Sequence, residues 1–287
     1  MIIIDMNQIM ISNLMAQMKT DKLNEDLVRH MVLTSLKMYE SKYREKYGEM
    51  VLAYDSKQYW RKQVFPYYKQ NRKKDRAKSG HDWSAIFEVL NKIRDEIREY
   101  FPYKVVEVLG AEADDVISTL CKNKGPKEQI LILSGDKDFI QLQKYPGVYQ
   151  FNPVTKKHIG YDSPHSFIKE HIIKGDKSDG IPNFLSPDDC FVNGVRQRPI
   201  SQKNLSKWVE LQPHQFCSSK EQLENYKRNQ LLIDFDCIPT EIEDEILNEF
   251  NSLNISGKQV PLEYFQEHQL NDLMQDYFFR SSTPFKK

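Results

Sequence analysis

The chain has 287 residues, 39% of them apolar, enough to bury a sizeable core and to exclude a disordered or low-complexity protein. Lys plus Arg and Asp plus Glu number 41 each, so net charge selects no partner class and only the distribution of charge along the chain is informative. Four scattered cysteines (Cys121, Cys190, Cys217, Cys237) without a C-x-x-C pair fit reduced thiols in a cytosolic compartment better than a disulfide framework or thiolate zinc site, while Asp5 and the lack of a long apolar run argue against a signal peptide and a membrane span.

In chain order, the first element is the apolar run 2–4, which stops at Asp5. Leu23, Leu27, Val28, Met31, Leu36 and Tyr39 then recur mostly at helical spacing, predicting an amphipathic crossover helix over 23–47. A second strand over 50–54 ends in Asp55, at the separation a parallel βαβ unit requires. Between 57 and 78, Lys57, Arg61, Lys62, Lys69, Arg72, Lys73, Lys74, Arg76 and Lys78 stand against one acid, Asp75, interleaved with Tyr59, Trp60, Phe65, Tyr67 and Tyr68. A charge run is ordinarily a solvated face. Cations beside aromatic platforms are instead what single-stranded nucleic acid needs, so the stretch 57–80 reads as a mobile basic arch closing at Ser79-Gly80.

A helix over 84–100 and a strand over 103–108 precede Glu112, Asp114 and Asp115 at the start of another helix. The helix dipole satisfies one or two such acids, at a few tenths to about 1 kcal/mol each. Glu112 and Asp115, three apart, share a face that wants a cation, and Asp114 points elsewhere. The largely apolar run 129–133 suits a central parallel strand and ends in Ser134-Gly135-Asp136-Lys137-Asp138-Phe139, with Gly135 as the turn, Phe139 as core and Lys137 directed outward. Taken alone, Asp-x-Asp after a strand is commonly a turn or a helix cap. Another strand is predicted over 148–152, then a helix from 166 that stops at Gly175 before Asp176 and Asp179. The remainder is Pro-rich to 199, helical over 202–250 with a break near Pro239, and helical again over 261–279 before a basic tail ending at Lys287.

Strands of a doubly wound parallel sheet open at one edge. Asp5, Asp55, Glu112, Asp114, Asp115, Asp136, Asp138, Asp176 and Asp179 are therefore expected to converge on one crevice. Bare carboxylates at a few Å would protonate or repel, and a set without His or Cys selects a hard ion, Mg²⁺ first and Mn²⁺ as substitute. Two such ions ~4 Å apart are the usual apparatus of phosphodiester cleavage. The basic stretch would hold a phosphate chain over them, with Lys69 and Arg72 nearest the scissile phosphate; for each, nonspecific phosphate attraction is the plainer role.

In this order, Ile3-Ile4-Asp5, Tyr54-Asp55, Arg61…Tyr68-Lys69…Asn71-Arg72, Glu112-Ala113-Asp114-Asp115, Ser134-Gly135-Asp136-Lys137-Asp138 and Gly175-Asp176-Lys177-Ser178-Asp179 resemble the 5′-nuclease superfamily of flap endonucleases. Within it the match is to the ribonuclease H branch of T-even-type bacteriophages, and Leu232 to Pro239 resembles that branch as well. The resemblance implies an α/β fold with a Rossmann-like, mostly parallel PIN-like core and basic helical arch over 1–160, and a mainly helical region over 161–287. It implies that Asp5, Asp55, Glu112 and Asp114 surround a first metal, and Asp136, Asp138, Asp176 and Asp179 a second, partly through waters. Arg61, Tyr68, Lys69, Arg72, Lys73 and Lys74 would contact nucleic acid from the arch. A helix-turn-helix duplex clamp across 165–210 would act through Arg196, Arg198, Lys203 and Lys207, although Asp179-Gly180-Ile181-Pro182-Asn183 lacks the following Gly-x-Gly of the superfamily's monovalent-ion hairpin.

The implied activity is 5′ to 3′ exonuclease and flap cleavage on DNA and RNA·DNA duplexes, removing lagging-strand primers, by a monomer in the cytoplasm (an infected host's, if viral). A single-stranded-DNA-binding protein and a sliding clamp are the implied replisome partners. Asn271, Met274, Tyr277 and Phe278 approximate a clamp-binding peptide, but core packing is the favoured role of that helix, and four residues before Asp5 leave no room for such a peptide at the N-terminus. Two enzyme alternatives fit less well. A PIN-type ribonuclease leaves the arch and distal half without a task, and a haloacid-dehalogenase-type phosphatase needs an acid two residues after its nucleophile, where Asn7 stands. A catalytically dead nucleic-acid-binding protein would lack part of the acid set, and none is missing.

Overall fold

The computed structural model describes residues 1–19 and 22–278. Its elements are β1 (Ile2–Asp5), α1 (Met6–Gln17), α2 (Glu25–Tyr47), β2 (Met50–Ala53), α3 (Arg61–Val64), α4 (Gln70–Lys78), α5 (Trp83–Tyr100), β3 (Lys104–Val106), α6 (Ala113–Lys124) and β4 (Ile130–Leu133). A 3-10 helix (Lys137–Lys144), β5 (Val148–Asn152), β6 (Lys157–Ile159) and α7 (Pro164–Lys174) follow. The distal part comprises α8 (Gln202–Val209), α9 (Pro213–Phe216), α10 (Lys220–Ile233), a 3-10 turn (Phe235–Cys237), α11 (Thr240–Ser252), α12 (Leu262–Glu267) and α13 (Asn271–Phe278).

Among the described residues six strands form one sheet in the order β3-β2-β1-β4-β5-β6. The first five are parallel and β6 runs antiparallel at the edge. Because strand side chains alternate between faces, β1 sends Ile2 and Ile4 into one apolar layer and Ile3 into the other. The first layer packs under α1, α2 and α5, and the second under α6, α11 and the 3-10 helix. Each fully buried Ile or Leu contributes roughly 1.5–3 kcal/mol, which is why both faces must be covered. Helix α2 begins where Asn24 Oδ1 accepts from Leu27 N at 3.0 Å, carries Glu25 and Asp26 in its first turn and Arg44 and Lys46 in its last, and ends at Gly48 with φ 87°.

Several expected elements differ. The sequence reading passed over α1, which is apolar on most sides and lacks a polar stripe, and over β6, a three-residue edge of mixed polarity. The expected helix over 202–250 is divided at Pro213, at the Ser219 cap and at Asp234 as well as at Pro239. The expected helix over 261–279 breaks at Gln269, where φ is 55°. The chain from Phe235 onward returns to the sheet: Phe235, Ile246 and Phe250 enter one layer, and Tyr264, Phe265 and Tyr277 the other. Tyr277 is buried, with its hydroxyl 3.0 Å from that of Tyr103, which is the core role favoured for the last helix. The Phe278 side chain and the basic tail lie outside the described residues. No helix among the described residues is long and apolar enough to cross a membrane.

Candidate active site

Strand order reverses between β1 and β4: from β1 the sheet grows toward β2 and β3, and from β4 toward β5. Connections therefore leave in opposite directions and open a crevice at the carboxyl ends of these two central strands. Asp5 closes β1 and caps α1, accepting from Gln8 N at 3.1 Å and from Ser134 Oγ at 3.0 Å. Gln8 Oε1 in turn accepts from Gly135 N at 2.5 Å, tying α1 to the loop after β4. A Cβ at 135 would stand 2.6 Å from Asn152 Nδ2, so any larger residue there would have to displace the Asn152 side chain. Asp136 does act as a cap, accepting from Asp138 N at 2.9 Å, while Asp138 reaches into the crevice and Phe139 is fully buried. Asp55 follows β2 and accepts from Ala113 N at 2.8 Å at the start of α6, where the helix dipole favours an anion.

Asp114, Asp138, Asp176 and Asp179 line one narrow cavity. The last two sit in a turn closed by Ile181 N donating to Asp176 O at 2.7 Å. Charge interactions link Asp5 to Asp55 and Asp136, Asp55 to Glu112, Asp114 to Asp5, Glu112 and Asp136, and Asp136 to Asp138, Asp176 and Asp179, so these eight acids stand around the crevice. Asp115 departs from it. The cation that the Glu112/Asp115 face requires is Arg61: its Nη1 lies 2.9 Å from Glu112 and its Nη2 2.8 Å from Asp115, which also accepts from Trp60 Nε1 and Glu112 N. Asp115 is fully buried on that side, away from the cavity.

The arch differs from expectation in a related way. Trp60, Arg61, Phe65 and Tyr68 are buried, so Arg61 and Tyr68 cannot meet nucleic acid as expected, and these aromatics are core rather than stacking platforms. Tyr68 OH donates to Glu112 at 3.0 Å or Asp179 at 2.9 Å. Lys69, at φ 57°, lies 2.6 Å from Glu112, and Arg72 lies 2.5 Å from Asp179, so both cations stand at the crevice. Helix α4 has no buried residue. Arg72, Lys73 and Arg76 face a groove of ≈ 640 Å³ with Asp55, Lys62 and Arg94, whereas Lys74 donates to Val192 O at 2.9 Å. Arg196, Arg198, Lys203 and Lys207 are all exposed. Across 165–210 the long irregular segment 175–201, rather than the usual 3–4-residue turn of a helix-turn-helix, joins α7 to α8, and Lys203 and Lys207 lie on α8.

Burial, with Asp55 and Asp136 nearby, pushes the Asp5 carboxyl up to about 7. Burial and Asp136 push Asp138 up to about 7 as well. Asp55, Asp114 and Asp136 are raised by burial first and by neighbouring carboxylates second. Glu112 and Asp176 go the other way. Burial opposes their ionisation, but Lys69 and Arg61 hold Glu112 below the usual range, and His171 and Ser178 do so for Asp176. Lys69 is pushed upward because Asp179 and Glu112 outweigh its burial. The cations thus serve the Glu112/Asp179 side, and the crevice between Asp5, Asp114 and Asp136 is left with acids that resist ionisation. That oxygen-rich donor set fits a divalent cation.

Sequence reasoning missed His171. Its Nδ1 is 3.7 Å from Asp138 and its Nε2 3.5 Å from Asp176. Its position on the helix leading into the last acid turn, five residues before Asp176, was the available signal. Gln8, one turn after Asp5, and Ser134, the residue after β4 and two before Asp136, were also missed.

An acid-lined crevice at the switch point of a parallel sheet, with a basic helical arch over it, defines a hydrolytic nuclease of the 5′-nuclease class. Residues 1–170 match the family model for the 5′-3′ exonuclease N-terminal resolvase-like domain, and residues 162–277 match that for the T4 RNase H C-terminal region. The chain belongs to this 5′-3′ exonuclease family, with a C-terminal region of the T4 RNase H type. It is similar to the ribonuclease H of Enterobacteria phage T4, at 33% identity over 282 residues, covering 94% of this chain and 92% of that protein. A 5′-3′ exonuclease of Buchnera aphidicola (from Schizaphis graminum) is 29% identical over 199 residues, 64% of this chain and 66% of that one. The same fold occurs in the phage T5 D15 protein co-crystallised with metal ions (TM-score 0.63, 16% identity, 89% of this chain, 98% of that chain). It also occurs in a T5 D15 flap endonuclease complex with DNA and metal ions (TM-score 0.63, 16% identity, 88% and 99%).

Proposed function

We propose that the protein is a divalent-metal-dependent 5′ to 3′ exonuclease and flap endonuclease that cleaves DNA and RNA·DNA duplexes and removes the RNA primers of lagging-strand fragments. The observation that carries the reading is the meeting of the strand-end acids at one switch-point crevice directly beside Lys69 and Arg72. Two Mg²⁺ ions, with Mn²⁺ as substitute, are the proposed cofactors. Asp5, Asp55, Glu112 and Asp114 would hold one, and Asp136, Asp138, Asp176 and Asp179 the other. When bound, such ions supply Lewis acidity and a water of lowered pKa for in-line hydrolysis.

The remaining work falls to the chain's own residues. Lys69 and Arg72, cations already drawn to the crevice by Glu112 and Asp179, hold the reacting phosphate and stabilise charge developing on it. Lys73 and other exposed arch cations steer the strand along the groove without base readout, and Arg196, Arg198, Lys203 and Lys207 grip duplex backbone. This divides the labour between a catalytic region over 1–160 and a duplex-binding region over 161–287. A single-stranded-DNA-binding protein and a sliding clamp are the proposed partners of a monomer, with any clamp contact outside Tyr277, which serves the core.

Asp136→Asn tests the reading. It should abolish Mg²⁺-dependent cleavage of a labelled flap or RNA-primed duplex while leaving substrate binding within about threefold, because the Asp136 side chain, which accepts from Asp138 N, has no hydrogen bond to the arch among the described residues. Retained turnover would refute the assignment. Persistent binding with no cleavage by the unmodified protein in any divalent ion would instead make it a binding module.

A further inference from the structure

The described residues contain one group of His, Cys, Asp or Glu in which three ligand atoms lie within 4.8 Å of one another, and it is not made of carboxylates alone: it is Asp138, His171 and Asp176. His171 is carried on α7, which packs against the 3-10 helix bearing Asp138 and ends at Gly175 just before Asp176. The Phe167 ring, one turn earlier, stands 5.9 Å from the imidazole. All three side chains are mostly buried, with exposures of 20%, 20% and 16%. His171 Nε2 is buried without a hydrogen-bond partner, 3.5 Å from Asp176 Oδ2. The ring nitrogens thus stand at ion-pair distance from both acids, Nδ1 3.7 Å from Asp138 and Nε2 3.5 Å from Asp176.

We propose that His171 is a nitrogen ligand of the cation held by Asp138 and Asp176, and that it shifts this position's preference from Mg²⁺ toward Mn²⁺ and other first-row ions that accept imidazole. The inference rests on the metal-dependent reading above and alters its donor chemistry. Donor atoms on one first-row ion stand at most about 4.4 Å apart, twice a bond of ~2.2 Å, so the three atoms, all within 4.8 Å of one another, must draw inward to share an ion. Imidazole suits Mn, Fe, Co and Zn better than Mg, which keeps oxygen ligands and water. The position formed by Asp5, Asp55 and Asp114 has no imidazole in its donor set and would keep the preference for a hard ion.

Pulsed electron paramagnetic resonance of Mn²⁺ bound to the full-length protein tests this without recourse to turnover. A ¹⁴N coupling of directly bound imidazole is expected, and it should vanish in His171→Gln. In competition titrations His171→Gln should weaken Mn²⁺ about 10-fold or more and Mg²⁺ much less, since the amide offers an oxygen in place of the nitrogen. Bound Mn²⁺ without ¹⁴N coupling would overturn the role of His171 while sparing the metal-dependent reading. Failure of any Mn²⁺ to bind would overturn both. Should His171→Gln fold poorly, the coupling in the unsubstituted protein decides alone, and His171→Asn provides the second titration.

Discussion

Replacing Arg61 by Gln should destabilise the protein by about 3–5 kcal/mol, the range for breaking a buried ion pair from one side. The guanidinium is 2% exposed, pairs with Glu112 and Asp115, donates from Nε to Leu232 O at 2.9 Å and stacks 4.6 Å over Trp60. It thereby joins the base of the arch to α6 and α10. Lys69 would still neutralise Glu112, but Asp115 would lose its sole ionic partner among the described residues while remaining fully buried. Urea unfolding of metal-free protein at pH 7 measures the loss: with an m-value of ~3 kcal/mol/M the midpoint should fall by about 1 M or more. A loss below about 1 kcal/mol would refute the electrostatic reasoning.

The acid crevice predicts an inverted pH dependence of stability in EDTA. Asp5 and Asp138 are raised in the folded state from 3.8 to about 7, so their contribution is fully present below about pH 4 and is lost as pH rises toward 7. At 1.36 kcal/mol per decade the upper bound is ~4 kcal/mol for each; melting temperatures at pH 5 and pH 7 should differ accordingly, and millimolar Mg²⁺ or Mn²⁺ should remove the difference. A metal-free melting temperature that rises over this interval would contradict the account. Gly175→Ala should cost ~2 kcal/mol or more and abolish cleavage while α7 remains folded by circular dichroism. Gly175 has φ 66°, and its Cβ would stand 2.4 Å from Ile181 O and 2.5 Å from Pro182 C and O, forcing the Asp176/Asp179 turn apart.

Much of the architecture was legible because it depends on local pattern. Ile2-Ile3-Ile4, Val51-Leu52-Ala53 and Ile130-Leu131-Ile132-Leu133 are apolar on both faces, which identifies central parallel strands, and each leads to an acid at the edge where such strands open. Helix α1 had a start signal in Asp5 followed by Gln8, but without a polar stripe its period was invisible. The subdivided distal helices were masked by continuous helical propensity, and tertiary packing decided where each one stops.

The amino-acid sequence by itself determined the two-sided sheet, the supply of acids at its carboxyl edge and the basic character of the stretch 57–78, because these follow from residue type and spacing. Only the tertiary structure decided which charges find each other. It buried Arg61 between Glu112 and Asp115, turned Asp115 away from the crevice, set the Tyr68 hydroxyl against Glu112 and Asp179, and brought His171 between Asp138 and Asp176. The physical reason is that desolvation penalises an unpaired charge far more than a solvated one. Partners are therefore set by which side chains are buried together, a property that no spacing along the chain records.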